Sequence, residues 1–334
     1  MTIRALSLPP TDTETDDWIA VLAAAQAADR PQGPPPARTE VAGRLRVTPA
    51  HGRAALWTTD EGTGVAALVL FKDEANAHTA FLDLIVVHPD ARRRGLGRAL
   101  WEQVRAELLA HGRTSVSTVV DLGGPGQAFA ESLGFENVLP MAWYEQDVTR
   151  QQPATGTPDA TPGRAAGEVP VPVAPGYELR AWHGLVPDDW AAPLATAHGA
   201  MQDAPMGDID EKIEAWTPQR LHAAHRLVLD RGGEITTAAA VTPQGEVAAY
   251  TELVLPDPTG PRALQYDTVV APAHRGHGLG RTVKLHMLEQ ARHRYPALRR
   301  IATTVADENT PMRAVNESLG YRLDRPAAYY QLTL

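Results

Sequence analysis

Apolar and polar positions along the chain fall into two series that repeat one order of elements. Short apolar or β-branched runs bounded by Gly, Pro and Asp read as strands, and stripes at three- and four-residue spacing read as amphipathic helices. In the first series a strand near Arg4–Leu8 leads into a helix from about Thr15 to Ala28. Strands follow at Ala54–Trp57, Val65–Phe71 and Ala80–Val87, then a helix from Gly95 to about His111. A strand at Ser115–Val120, a short helix ending at Leu133 and a strand near Ala142–Val148 close the series. The second series opens with a strand at Tyr177–Trp182 and helices at about Asp188–Ala200 and Pro218–Asp230. Strands at Ile235–Val241, Glu246–Leu255 and Leu264–Val270 precede a helix from Gly278 to about Tyr295. A strand at Arg300–Val305, a helix at Thr310–Leu319 and strands to the end complete it. Turn signals at Glu61-Gly62-Thr63-Gly64 and Pro243-Gln244-Gly245 each precede a β-branched run, as hairpins require. The order implies an α+β fold of two tandem domains, each a mixed, largely antiparallel sheet flanked by helices.

Between the two series lies TRQQPATGTPDATPGRAAGEVPVPVAPG, a Pro-, Gly- and Ala-rich stretch with no sustained apolar periodicity. It reads as an extended linker over 149–176, between an N-terminal domain at 1–148 and a C-terminal domain at 177–334. A length of 334 residues agrees with two domains of ordinary size. The net charge of −9 argues against a nucleic-acid partner, whose phosphates need a basic surface, and suits a cationic, amine-bearing one. The absence of cysteine excludes disulfides, thiolate metal sites and thiol nucleophiles. No apolar run approaches the roughly 18 residues that a membrane span needs, and no signal peptide is visible, so a cytoplasmic location is expected.

The strongest local signal occurs twice. It is Val86-Val87-His88-Pro89-Asp90-Ala91-Arg92-Arg93-Arg94-Gly95-Leu96-Gly97-Arg98 in the first half. In the second it is Val269-Val270-Ala271-Pro272-Ala273-His274-Arg275-Gly276-His277-Gly278-Leu279-Gly280-Arg281. Each is an apolar strand, a proline that ends it, a basic loop, two glycines one residue apart, and an amphipathic helix. A helix start presents unpaired N–H groups and the positive end of the macrodipole, and glycines let a phosphorylated ligand approach. A nucleoside-triphosphate loop would end in Gly-Lys-Ser/Thr, whereas Arg98-Ala99 and Arg281-Thr282 follow here. A dinucleotide fingerprint needs three glycines and an acidic residue about 20 positions on, which neither copy has.

The pattern Arg-x-x-Gly-x-Gly, at Arg92/Gly95/Gly97 and Arg275/Gly278/Gly280, resembles the coenzyme A pyrophosphate loop of the GNAT superfamily of acetyltransferases. In the second half Asn309-x-x-Met312-x-x-x-Asn316-x-x-Leu319-Gly320-Tyr321 is similar to that superfamily's later motif. Asn309 is placed to cap a helix, and in relatives it lies near the pantetheine arm. The resemblance implies acetyl-coenzyme A as cofactor and no metal. It implies cofactor contacts from Val269, Val270, Asn309 and the loop His274–Arg281, and from Val87 and the loop Arg92–Arg98. The tandem layout is similar to that of the mycothiol synthases, in which the C-terminal domain carries the chemistry. In the first half the residue aligned with Asn309 is Gly123, in Gly123-Gly124-Pro125-Gly126, so the N-terminal domain reads as a degenerate copy.

Acyl transfer to an amine needs a base for the ammonium proton and a donor for the departing thiolate. Glu252 and Asp267 lie inside otherwise apolar strands and are the candidate bases, Glu252 being favoured for its longer reach. The resemblance places a tyrosine donor in the helix before Leu-Gly-aromatic. The aligned positions here are Asn316 and Ala130; Asn316 is a candidate to hydrogen-bond the thiolate or cofactor but cannot release a proton, which leaves Tyr250, Tyr266 or water for that role. Asp203 and Asp208, in Met201-Gln202-Asp203-Ala204-Pro205-Met206-Gly207-Asp208, are expected in one wall of the acceptor pocket, attracting its charge. Among the twelve histidines, His222 and His225 read as a solvated helix face and not as metal ligands. The expected activity is acetyl transfer to a primary amine of a small molecule. Acyl-coenzyme A sensing without turnover, or acetylation of protein lysines or N-termini, are the alternatives.

Overall fold

The computed structural model describes residues 2–149, 171–212 and 214–334, and most of the expected linker lies outside them. In the first half β1 (Ile3–Ala5) is followed by α1 (Asp12–Asp29), α2 (Arg38–Arg46), β2 (Gly52–Thr59), β3 (Gly64–Phe71) and β4 (Ala80–Val87). Then come α3 (Leu96–Ala110), β5 (Ser115–Asp121), α4 (Pro125–Ser132) and β6 (Glu136–Asp147). The second half runs β7 (Glu178–His183), α5 (Asp188–His198), α6 (Pro218–Asp230), β8 (Glu234–Val241), β9 (Val247–Leu255) and β10 (Arg262–Val270). It ends with α7 (Leu279–Arg294), β11 (Arg300–Ala306), α8 (Thr310–Ser318) and β12 (Arg322–Thr333).

Local chemistry accounts for most of these limits. Helix α1 starts with a reciprocal cap: the Thr11 hydroxyl accepts from Glu14 N, and Thr11 N donates to the Glu14 carboxylate. Asn309 caps α8 by accepting from Met312 N. Helix α2 was not expected from the sequence. Its nine residues bury only Val41, Ala42, Gly43 and Leu45, too short a stripe to stand out among charged neighbours. The closing segment, expected as more than one strand, is the single strand β12.

The strands form one sheet in the order β1-β2-β3-β4-β5-β12-β6-β11-β10-β9-β8-β7. The closing strands of the two halves have changed places. Strand β12 pairs antiparallel with β5 (Ala327 opposite Asp121), and β6 pairs antiparallel with β11 (Thr304 opposite Trp143). The two also pair with each other, joining the halves through the middle of the sheet. Chain order and sheet order therefore part company at residue 136, where β6 leaves the first half's own ladder.

Both halves repeat one irregularity. Parallel strands β4 and β5 meet only at Phe81 and Ser117, and β10 and β11 only from Arg262–Leu264 against Arg300–Ala302. Beyond those points the strands splay apart. A register shift in the strand before each phosphate-type loop leaves Asp83 unpaired in β4 and Tyr266-Asp267 unpaired in β10. One face of the sheet packs on α3 and α7, whose buried stripes include Leu100, Val104 and Leu108, and Val283, Met287 and Ala291. The other packs on α1 and α2 in the first half and on α5 and α6 in the second.

Contacts outside the sheet also bind the halves. The segment after α5 crosses to the first half. There Asp210 accepts from the Ser115 hydroxyl at 2.6 Å, and Lys212 and Asn76 exchange hydrogen bonds at 2.8 and 3.0 Å. Gly43 of α2 lies so close to Arg231 that a Cβ would fall 2.2 Å from its carbonyl oxygen. The exchange has a direct test. Residues 1–149 expressed alone should show no cooperative unfolding by circular dichroism, because β5 lacks β12 and β6 lacks β11. Co-expression with 171–334 should restore one transition, and independent folding of either piece would contradict the shared sheet.

Candidate active site

The two loops at the C-terminal ends of β4 and β10 have one geometry. Gly95 and Gly278 stand just before α3 and α7 with φ of 85° and 72°, a left-handed turn that only glycine adopts freely, and open space lies where their Cβ would be. The backbone amides of 276–281 have no partner among the described residues, so a row of donors converges at the start of α7. Such a start suits a pyrophosphate. The second glycine of each pair serves packing instead. A Cβ on Gly280 would meet Val270 at 3.4 Å, and one on Gly97 would meet the Phe129 ring at 3.3 Å. Where the second loop has Gly276 at φ 84°, the first has Arg93 at φ 63°, a strained setting for a side-chain-bearing residue.

The first arginine of each motif is tied down. Arg92 binds Asp29 through both terminal nitrogens at 2.6 and 2.7 Å, which raises its pKa, and its Nε donates to the Val87 carbonyl. Arg275 repeats this with Asp203 at 2.7 Å and the Val270 carbonyl at 3.4 Å. These residues link the loop to the elements on the opposite face of the sheet. His274 and His277 pack edge-on against the Tyr177 ring, and His274 Nδ1 lies 3.0 Å from the Tyr177 hydroxyl. Arg94 precedes the Gly95 turn, and Leu96 and Arg98 lie in the first turn of α3, as Leu279 and Arg281 do in α7.

On the α5–α6 face two imidazole–carboxylate pairs stand side by side. His225 Nε2 lies 2.7 Å from Glu252 Oε1, with both side chains almost wholly buried and the Thr237 hydroxyl donating to the same oxygen at 3.4 Å. His198 Nε2 lies 3.1 Å from Asp267 Oδ2. The His198 ring stacks on Trp216 at 4.0 Å between centroids. The ladder sets Gln265 opposite Leu253 and Thr268 opposite Thr251, so the bulge carrying Asp267 lies across from Glu252. The Asp267 side chain is 33% exposed and that of Glu252 only 4%, so Asp267 is the carboxylate open to the splay. The expectation of a solvated helix face fails for His225, which is 0% exposed, because it faces the sheet and holds Glu252. His222 turns instead to the Val186 carbonyl at 2.8 Å.

The remaining candidates are distributed around this core. Asp203 is engaged by Arg275, and Asp208 is exposed with its amide on the Val138 carbonyl, where the segment reaches the first half. Asn316 is fully buried on the α7–α8 face, its Oδ1 accepting from Lys284 Nζ at 2.7 Å. Neither tyrosine suggested as thiolate donor shares that site. Tyr250 is buried on the α5–α6 face with its pKa pushed well up by desolvation, and Tyr266 is 48% exposed. A cleft of about 1860 Å³ runs from the Arg92–Arg98 loop along the inner face of α1 and α2 and is walled on its far side by second-half residues that include Arg231, Arg262, Leu264 and Arg325.

The chain matches the acetyltransferase (GNAT) family over residues 18–135 and 202–321, one copy in each half. It is a tandem member of the GNAT family. It is similar to the mycothiol acetyltransferase of Thermomonospora curvata, with 28% identity over 322 residues that cover 93% of this chain and 92% of the relative. The mycothiol acetyltransferase of Catenulispora acidiphila is 27% identical over 264 residues, covering 78% and 76%. Among solved structures, a tandem GNAT protein from the clavulanic acid biosynthesis pathway aligns with a TM-score of 0.81 at 28% identity, covering 99% of this chain and 98% of that one. A GCN5-related N-acetyltransferase from Sphaerobacter thermophilus shares the fold with a TM-score of 0.68 at 16% identity, covering 99% and 95%.

Within this GNAT chain His198 and Lys284 escaped the sequence reading, and His225 was placed on the wrong face. Lys284 left a visible signal, since it occupies the apolar stripe Leu279, Val283, Met287, Leu288 and Ala291. His198 and His225 gain meaning only once β9 and β10 lie beneath them. The loop assignment is tested by Gly278→Asp and Gly95→Asp. Aspartate tolerates the left-handed turn better than most residues, and no neighbour obstructs it, so both variants should fold. Calorimetry with acetyl-coenzyme A should show binding at the second loop lost only in Gly278→Asp, and at the first only in Gly95→Asp. Unaltered binding in a folded Gly278→Asp protein would remove that loop from the cofactor site.

Proposed function

We propose that the second half transfers an acetyl or other short acyl group from acetyl-coenzyme A to a primary amine of a small molecule. The observation that carries this reading is the pair of imidazole–carboxylate contacts beside the β10–β11 splay, opposite the unpartnered amides of 276–281. The bound cofactor supplies the activated thioester. The loop at 276–281 fits its pyrophosphate, and the β10 edge beyond Leu264, freed from β11, fits its extended arm. Asp267 takes the proton of the acceptor ammonium, with His198 holding the carboxylate and Trp216 holding His198. This reverses the preference drawn from side-chain length, because Glu252 is enclosed and committed to His225. Glu252 and His225 form the rigid floor on which the bulge rests.

The first half holds an acyl-coenzyme A molecule without turning it over. Its loop opens into the 1860 Å³ cleft. No imidazole–carboxylate pair equivalent to His198–Asp267 faces its splay among the described residues; Asp83, in the equivalent bulge, is paired with Arg44.

Free-thiol release with acetyl-coenzyme A across a panel of amines, including the acceptor of the mycothiol acetyltransferases, tests the reaction. Asp267→Asn should lower turnover about a hundredfold, within the usual range of general base catalysis, with cofactor affinity unchanged. A base works deprotonated, so wild-type turnover should fall as pH drops, and that acidic limb should vanish in Asp267→Asn. Glu252→Gln should retain the limb. An Asp267→Asn enzyme with wild-type rate and limb would remove Asp267 from the mechanism.

A further inference from the structure

The thiolate leaving group still lacks a proton donor, and a buried amine stands where one is needed. Lys284 is 3% exposed, on the face of α7 that packs against the sheet. Its Nζ donates to Asn316 Oδ1 at 2.7 Å and sits 4.9 Å from the centre of the Tyr321 ring. The Tyr321 hydroxyl donates to Gln265 Oε1 at 3.1 Å, and Thr303 Oγ1 donates to the Gln265 carbonyl at 3.1 Å. Gln265 and Thr303 are the first residues past Leu264 and Ala302, where β10 and β11 separate. The amine, the amide and the phenol thus surround the vertex of the splay on the cofactor side.

Two features show that this cluster is not ordinary packing. Asn316 Nδ2 is buried with no hydrogen-bond partner among the described residues, although Oδ1 is satisfied. An amide held this way leaves a donor aimed at something else, at a cost that native cores rarely accept. The second feature is the first half itself, which serves as an internal control. Aligning Gly95 with Gly278 and Gly134 with Gly320 sets Trp101 at Lys284, Ala130 at Asn316 and Phe135 at Tyr321. There Trp101 packs edge-on against Phe135 at 5.3 Å, and the site is filled by apolar core. The fold therefore has no need of a polar cluster here, and only the half read as active carries one.

We propose that the Lys284 ammonium, held by Asn316, is the proton donor to the departing coenzyme A thiolate in the second half. As the acceptor nitrogen bonds to the acyl carbon and the C–S bond breaks, the electron pair goes to sulfur. Lys284 gives that sulfur a proton and becomes a neutral amine, which its apolar surroundings favour. Asp267 has taken one proton from the acceptor ammonium, the nitrogen's second proton passes to solvent as the amide forms, and both side chains reset with solvent after the products leave. Asn316 Nδ2 contributes a hydrogen bond to the same sulfur. Burial alone lowers the Lys284 pKa to about 7, with no neighbouring charge contributing, which suits an acid working near neutrality. The groups facing it are Asn316 from α8, Tyr321 beyond it, and the apolar side of the sheet. Tyr321 is itself held protonated by burial.

The inference rests on the acyl-transfer reading of the second half, and its test separates the two. Lys284→Met should lower turnover about a hundredfold with unchanged acetyl-coenzyme A affinity by calorimetry. It should also abolish the basic limb, on which wild-type rate falls as Lys284 loses its proton. Its melting temperature at pH 7 should rise, since an unfavourably buried amine gives way to a similar apolar volume. Asn316→Ala, the first half's own residue, should lower turnover while keeping the cofactor, and stands in if the methionine variant fails to fold. In cofactor-free wild type, the Lys284 side-chain resonance, assigned by its loss in Lys284→Met, should titrate near 7. An active wild type whose rate and basic limb survive in either variant overturns the inference alone. A lysine titrating above 9 does so as well, whereas a wild type that releases no thiol with any amine overturns the acyl-transfer reading.

Discussion

The ladder between β6 and β12 is the interaction on which the rest of the molecule depends. Each strand is the last of its own half and an interior strand of the other's sheet, so neither sheet closes without the partner half. Strand β5 shows why. Its contact with β4 is limited to one residue pair, and nearly all its backbone pairing therefore comes from β12. An opening on one side of a strand is tolerated only where the other side is firmly held. The exchange provides that hold in both halves.

The irregularities of β10 and α7 give the splay two chemically different sides. The splay beyond Leu264 frees a strand edge, and the bulge at Tyr266-Asp267 turns a carboxylate towards the opening. On the far side the α7 stripe delivers Lys284 to the same vertex. Arg275, bonded to Asp203 and to the Val270 carbonyl, ties the two sides together, and Arg92 repeats the tie in the first half. Where the halves diverge, the difference is chemical and not architectural. Trp101 and Ala130 make an apolar plug, while Lys284 and Asn316 make a polar socket.

Much of this was legible in the sequence because it is local. Apolar periodicity revealed the repeat, glycine spacing marked the loops, and Asn309 announced its helix. The carboxylates Glu252 and Asp267 stood out as acids in apolar strands. What local pattern cannot carry is partnership. The strand exchange was invisible because β6 and β12 have the composition of any closing strand, and nothing in a strand names its neighbour. Burial separates the two carboxylates, since one strand position is covered by His225 and the other lies at a bulge. Helix α2 was lost for a simpler reason, being too short and too charged to show a stripe.

The long chain separation between β5 and β12 has a consequence for biogenesis. Synthesis proceeds from the N-terminus, so β5 leaves the ribosome some 200 residues before the strand that covers its edge. The early portion cannot complete its sheet when it is made and must wait, with an open strand edge, until β12 has been synthesised. An unpaired edge invites pairing with other chains. Loss of 322–334 would therefore leave unpaired a strand some 200 residues away in sequence.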